Sequence, residues 1–223
     1  MTKVVVVLHE TGLGDRLLAP SYRKSLASVG ATAVQVNLDD DAVAAALRFG
    51  PGEPVTALVS VHTEGDPSAV VAATAEAAGE PDLHAYRVTE KVRLDPLPVA
   101  DGERADVYAQ VALLRWSADL TREEYLTYWQ VHHTPIAIRT QNTSGYVQNL
   151  VEEALTPSSP EISAIVEEDF PMTAMTDPHE FYGSRGDEEE LSRRMTELMA
   201  SVARFGADQG LDLVPTSRYR WML

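Results

Sequence analysis

The chain has 223 residues, of which 44% are hydrophobic and 23% charged, a balance that fits a globular protein with one sizeable core or two small ones. Its formal net charge of −16 opposes nucleic acid and anionic lipid, because phosphate groups would repel it. With no cysteine in the sequence, disulfides, thiolate metal sites, iron–sulfur clusters and a cysteine nucleophile are excluded.

The valine run after Met1, Thr2 and Lys3 is short and carries one lysine, so it reads as a first strand over 3–9 rather than as a secretory leader. No run approaches the ~18 apolar residues of a membrane span, and the cytoplasm is the expected location. Apolar residues at helical spacing predict a helix over 17–29, and alternation predicts a strand over 32–38. An Ala-rich helical turn follows at 41–47. Then come a strand at 54–62, a helix at 67–78 and a strand at 83–94. Residues 95–105 are rich in proline, glycine and charge and read as a linker. After it the grammar restarts, with a strand at 106–115, a helix at 122–133, strands at 145–151 and 161–170, a long amphipathic helix at 188–205 and a closing strand at 213–221.

Each half is thus β-α-β-β-α-β, the split βαβ pattern. The offset between first strands, 108 − 4 = 104, supports an internal duplication with low residue identity. A four-stranded antiparallel sheet with helices on one face leaves the other face bare, and the twin half is the obvious cover. The expected fold is therefore α+β: two tandem ferredoxin-like units, 1–94 and 106–223, meeting sheet to sheet in an eight-stranded α/β barrel. Such a chain is an intramolecular pseudo-dimer. Its first half offers only His9, His62 and Glu64 as polar candidates near strand ends, and is expected to close the barrel while the second half holds the site.

The segment 121–139 is the most informative. Thr121 and Glu124 match a capping box. Positions 125, 129, 132, 133 and 136 follow helical spacing, so Tyr125, Trp129, one histidine and Ile136 share an inward stripe. Pro135 disfavours helical geometry at Thr134 and is expected to end the helix at His133 or Thr134. His133 then sits at the last turn on the face of Trp129, with His132 toward solvent. A histidine held there could do acid–base work near neutrality, or could simply bond the chain it turns into.

Other polar candidates flank it. On 145–151, Tyr146 and Gln148 share one face and Asn149 the other; the sequence leaves open which looks inward. In Glu167-Glu168-Asp169, Glu168 points opposite to its neighbours. A carboxylate on the cavity face would orient His133 and raise its basicity, whereas the acidic run is more commonly a solvated strand end. Arg115 and Arg139, at element ends, could bind a substrate carboxylate or phenolate or form surface ion pairs. Residues 172–175 read as a flexible Met-rich lip, and 177–182 as a loop and short helix. Adjacent His132 and His133 diverge on a helix, so no metal site is expected. Gly12-Leu13-Gly14-Asp15 lacks the third glycine of a dinucleotide loop.

The combination Thr121-x-x-Glu124-Tyr125-x-x-Tyr128-Trp129-x-x-x-His133-x-Pro135-Ile136-Ala137, preceded by Val111–Arg115 and followed by Gly145-Tyr146-Val147-Gln148-Asn149, resembles the EthD family of the dimeric α/β-barrel superfamily. The likeness covers the chain from Tyr108 onward. It implies a ligand cavity between sheet and helices of the second half, and in this superfamily further pairing into homodimers is common. Relatives include cyclases, dehydratases and cofactor-free monooxygenases. The resemblance therefore implies a lyase, cyclase or dehydratase that needs no organic cofactor and acts on a small hydrophobic or aromatic molecule. His133, Glu168 and Tyr146 would carry the chemistry. Trp129, Tyr125, Tyr128, Arg115, Gln148, Asn149 and Arg139 would contact the substrate. A non-catalytic ligand-binding protein uses the same pocket, and a cofactor-free or haem-linked monooxygenase is the remaining alternative.

Overall fold

The computed structural model describes residues 1–80 and 82–223. In chain order the elements are β1 (Thr2–Leu8), α1 (Gly14–Leu17), α2 (Pro20–Ser28), β2 (Ala31–Leu38), β3 (Ala57–Thr63), α3 (Pro67–Ala78), β4 (His84–Leu94), β5 (Tyr108–Leu114), α4 (Arg122–Thr127), α5 (Thr134–Thr140), β6 (Gly145–Ala154), β7 (Ala164–Phe170), α6 (Pro178–Tyr182), α7 (Glu188–Arg204) and β8 (Asp212–Met222). Short 3₁₀ turns occur at Asp41–Val43 and Met172–Met175, and a π-helical turn, Tyr128–His133, joins α4 to α5. No helix among the described residues is long and apolar enough to cross a membrane.

Local chemistry accounts for the boundaries. The helix expected over 17–29 is split, because Ala19 is extended before Pro20 and the proline opens α2 at its first turn, where its missing N–H costs nothing. Helix α3 starts on the Asp66 cap and stops at Gly79, whose φ of +69° is the left-handed geometry glycine adopts without strain.

The strands close one antiparallel barrel in the order β1-β3-β2-β8-β5-β7-β6-β4. Within it, the first four strands run β4-β1-β3-β2 and the last four run β8-β5-β7-β6. The two sets join edge to edge, through β2 with β8 and β4 with β6, and not by stacking two closed faces. Each set alone would leave two edges of unpaired N–H and C=O groups; closure pairs these edges with one another. The linker is laid along β8, with Gly102 and Ala105 N–H donating to Arg220 and Arg218 carbonyls (3.0 and 2.8 Å).

Three apolar layers result. Val5, Val7, Leu58, Tyr86, Val111 and Val214 fill one end of the barrel lumen. Helices α2 and α3 cover the outer face of the first four strands, while α4, α5 and α7 cover the last four. The other end of the lumen is polar. Lys3 Nζ pairs with Glu90 (2.5 Å) and Glu167 (3.2 Å), and Arg218 pairs with Asp169 (2.8 Å). The first half is therefore richer in inward polar groups than the sequence reading allowed, since the alternation that buries Val5 and Val7 also turns Lys3 inward.

Candidate functional site

The chain from Thr121 to Thr140 builds one wall of the site. The capping box is formed: Thr121 N–H donates to Glu124 Oε2 (2.9 Å) and Glu124 N–H to Thr121 Oγ1 (3.3 Å). The expected stop before Pro135 does not occur, and the helix runs on to Thr140. The reason is the π turn. Thr134 N–H bonds to the carbonyl of Trp129, five residues back, and Thr134 Oγ1 donates to that carbonyl too (2.9 Å). In this wider turn the ladder is already interrupted where Pro135 lacks its donor, so the ring is accommodated. Gln148 braces the turn, donating to Thr134 Oγ1 (2.8 Å) and accepting from Arg93 (2.8 Å).

Trp129 and His133 face a cavity of about 510 Å³ between the outer surface of the last four strands and their helices. Its floor is the row Tyr146, Glu168 and Gln110, which stand side by side on β6, β7 and β5, flanked by Tyr108, Ala112 and Val166. Leu198 and Phe205, with the stretch from Ala174 to Tyr182, complete the apolar walls.

Burial displaces the titration of His133, Glu168 and Tyr146. His133 is pushed down to about 4 by loss of solvent, and its Nδ1 hydrogen-bonds Ser201 Oγ (3.0 Å). Glu168 is pushed up to about 8 by the same cause, because an apolar surrounding disfavours the charged form of either group. With its amide nitrogen turned inward, Gln141 donates to Glu168 Oε1 (3.2 Å). The Tyr146 hydroxyl is held well above its usual range, first by burial and next by the nearby Glu168. Trp129 Nε1–H, buried beside it, has no hydrogen-bond acceptor among the described residues. At neutral pH the site therefore presents a neutral imidazole and a protonated carboxyl.

Several expectations need correction. Glu168 does not raise the basicity of His133: no hydrogen bond joins them among the described residues, and both are uncharged at neutral pH. Nor is the acidic run a solvated strand end, for Glu168 and Asp169 are buried and Glu167 is tied to Lys3 and Asn149. Asn149 lies on the lumen side, donating to Glu167 Oε1 (2.8 Å), and Gln148 is behind the wall it braces. Tyr125 is buried away from the cavity, its hydroxyl on Ser163 (2.8 Å). Tyr128 faces outward against His132. Arg115 pairs with Asp212 (2.7 Å) and Arg139 with Glu197, so neither cation reaches the cavity. In the first half, His9 bonds His84 (3.1 Å), His62 bonds Glu90 (3.3 Å) and Glu64 is exposed. The Gly12–Gly14 loop faces Asp39, Asp40 and Asp41, a setting that repels phosphate.

Sequence reasoning passed over Gln110, Ser201, Leu47 and Phe49. Gln110 was legible as the polar interruption of an apolar strand, and Ser201 as a hydroxyl on the apolar stripe of α7. Leu47 and Phe49 carry no local signal, because barrel closure alone brings them to the cavity.

No family model matches the sequence, and no curated protein matches it. Among solved structures the chain is similar to an anthrone oxidase-like protein, with 9% identity, coverage of 99% of this chain and 92% of that one, and a TM-score of 0.59. That likeness shows a shared fold. A candidate monooxygenase from Fusobacterium nucleatum subsp. nucleatum has 10% identity, covering 97% and 91% of the two chains at a TM-score of 0.48. A mutant chlorite dismutase from Candidatus Nitrospira defluvii gives 10%, 97%, 91% and 0.46. At these scores neither bears on what this chain does.

Proposed function

We propose that the chain is a small-molecule enzyme of the EthD-like α/β-barrel type, built from two tandem ferredoxin-like units, that moves protons on an uncharged aromatic ligand without an organic cofactor. The observation that carries this is the pair of buried groups on one apolar cavity whose pKa values burial drives in opposite directions, His133 down to about 4 and Glu168 up to about 8. Such opposed displacement marks acid and base roles. In this reading neutral His133 takes a proton from a C–H next to a substrate carbonyl, and the Glu168 carboxyl gives its proton to the carbonyl oxygen. The product of this step is an enol; if it is released, the imidazolium proton passes through solvent to the Glu168 carboxylate and both groups are restored. The new carboxylate raises the proton affinity of the imidazole as it forms. In a dehydration, the imidazolium proton departs with the substrate hydroxyl as water and the enol proton returns to Glu168. Tyr146, un-ionised, is a hydrogen-bond donor beside Glu168.

A ligand-binding protein without turnover is the second reading, favoured by the lack of a direct hydrogen bond between His133 and Glu168. Haem is poorly accommodated: no lysine or arginine is among the described residues lining the cavity, which leaves the propionates unpaired.

Anthrone, an uncharged aromatic ketone with an acidic methylene, separates the readings. Under nitrogen in D₂O, the enzyme reading expects methylene exchange faster than in buffer, lost in His133→Ala and Glu168→Gln while binding persists. Binding without exchange in the native protein supports the carrier reading. Conversion in air to anthraquinone and water, consuming O₂, would mark the oxygenase variant.

A further inference from the structure

The cavity of the last four strands is not closed by its own half. The connection between β2 and β3 leaves the first half, and its Val43 and Ala46 are buried against Tyr108, Phe170 and Ala174 of the second. The connection then forms a short antiparallel bridge with β8: Phe49 N–H donates to the Leu213 carbonyl (3.3 Å) and Leu213 N–H to the Phe49 carbonyl (2.8 Å). Arg48 fastens the near side through two hydrogen bonds to Asp39 (3.0 and 2.9 Å). On the far side Gly50 presses on Asp212, where any Cβ would lie 1.9 Å from Oδ1. On either side of Arg48, Leu47 and Phe49 line the cavity while keeping 67% and 49% of their surface in solvent. Met199 of α7, also 51% exposed, lines the same cavity.

Large apolar side chains that are at once cavity lining and half in water can only stand at its mouth, and leaving them there is unfavourable unless something apolar passes them. We propose that Leu47 and Phe49 are selectivity-determining residues: with Met199 they form an apolar collar, supplied largely by the first half, that admits a flat uncharged ligand and slows its escape. This rests on the ligand-cavity reading above. A collar differs from an ordinary wall contact in kinetics. A wall contact acts mainly on dissociation, whereas a collar changes association and dissociation in the same direction. The one cation at the collar among the described residues, Arg48, is paired with Asp39, and no lysine or arginine is on the described lining behind it, so an anionic ligand would be desolvated there without a free partner.

The test uses the full chain and Nile red, an uncharged flat dye, in stopped flow, with quenching of Trp129 locating the dye and Trp129→Phe removing that signal. The Leu47→Ala/Phe49→Ala double variant should speed both rates about tenfold, and Phe49→Trp should slow both several-fold. Phe49→Trp keeps the aromatic contact, so it remains informative if the double variant folds poorly. Anionic anilinonaphthalene sulfonate should bind the native protein at least tenfold more weakly than Nile red. Rates within twofold of native in both variants, with quenching intact, would overturn the collar alone. Native protein in which Nile red never quenches Trp129 would overturn the cavity reading and the collar with it.

Discussion

On the ladder of β1 and β3, Val4 faces Val61 and Val6 faces Val59; at the matching rungs of β5 and β7, Gln110 faces Glu168 and Ala112 faces Val166. Counted from the last pair of each ladder, Leu8 with Ala57 and Leu114 with Ala164, the rungs correspond at 110 − 4 = 106, two more than the offset between expected first strands. Above the valines, α2 and α3 press Tyr22, Leu26 and Val70 directly onto the sheet, with Tyr22 and Thr74 sharing a hydrogen bond (2.8 Å). Above Gln110 and Glu168 there is a cavity. One strand order thus carries a solid layer and a hollow one. The difference lies in a few side chains and in the wide turn at Tyr128–His133 that carries the helix through Pro135. A π turn costs hydrogen-bond geometry and is retained where it positions something; here it seats Trp129 and His133 over the polar row.

The strongest way to break this comparison is to exchange the rung. Val61→Glu places a carboxyl in the solid layer with no partner and should cost roughly 3 kcal/mol or more, read as a lower urea midpoint. Glu168→Val in the hollow layer should leave stability unchanged or raise it, while abolishing anthrone exchange. Equal losses at both positions would mean that the layers do not differ as described.

Next in size is the pH dependence of stability. Glu168 is raised from 4.5 to about 8 on folding, so the native state keeps a proton the unfolded chain releases, and stability falls as pH rises through that window. His133 is lowered from 6.5 to about 4; the unfolded chain holds the extra proton there, so its contribution grows with pH and is complete above 6.5. Below 6.5 the two oppose each other. Between 6.5 and 8 only Glu168 acts, and native protein should lose about 2 kcal/mol relative to Glu168→Gln, at roughly 1.4 kcal/mol per pH unit. Parallel urea series at pH 6.5, 7.2 and 8 measure it, and parallel curves would remove the raised carboxyl.

How far the sequence reveals this contrast depends on the range of the interaction involved. Strands appear through alternation, and α3 through Asp66-Pro67 at one end and Gly79 at the other, all local signals. The passage of the helix through Pro135 is hidden, because the rule against proline assumes the α ladder that Thr134 and Trp129 abandon. Alternation separates Gln148 from Asn149 but cannot say which faces the helices; barrel closure decides that. Arg115 and Arg139 are plausible anion binders only until Asp212 and Glu197 are placed beside them. The burial of Glu168 likewise depends on partners far along the chain.

Pro135→Ala tests the turn. The substitution restores a backbone N–H on an exposed position and lets the α ladder re-form, so stability should change by less than about 1 kcal/mol. Realignment of Trp129 and His133 should nevertheless weaken Nile red several-fold. Unchanged affinity would show that the cavity tolerates either turn.

The smallest effect separates the cavity from its surroundings. Arg139 is half exposed and paired with Glu197, which also meets Arg193 at 3.1 Å. Glu197 therefore keeps a partner when Arg139 is removed, and exposed pairs contribute little in water. Arg139→Ala should shift stability by no more than about 0.5 kcal/mol and leave Nile red affinity and anthrone exchange at native values. If Arg139 instead reached the ligand, as its place past the histidines invites one to think, its loss would weaken an anionic probe while sparing the neutral one. Measuring both probes on this variant decides whether the cavity recognises charge at all, or only shape.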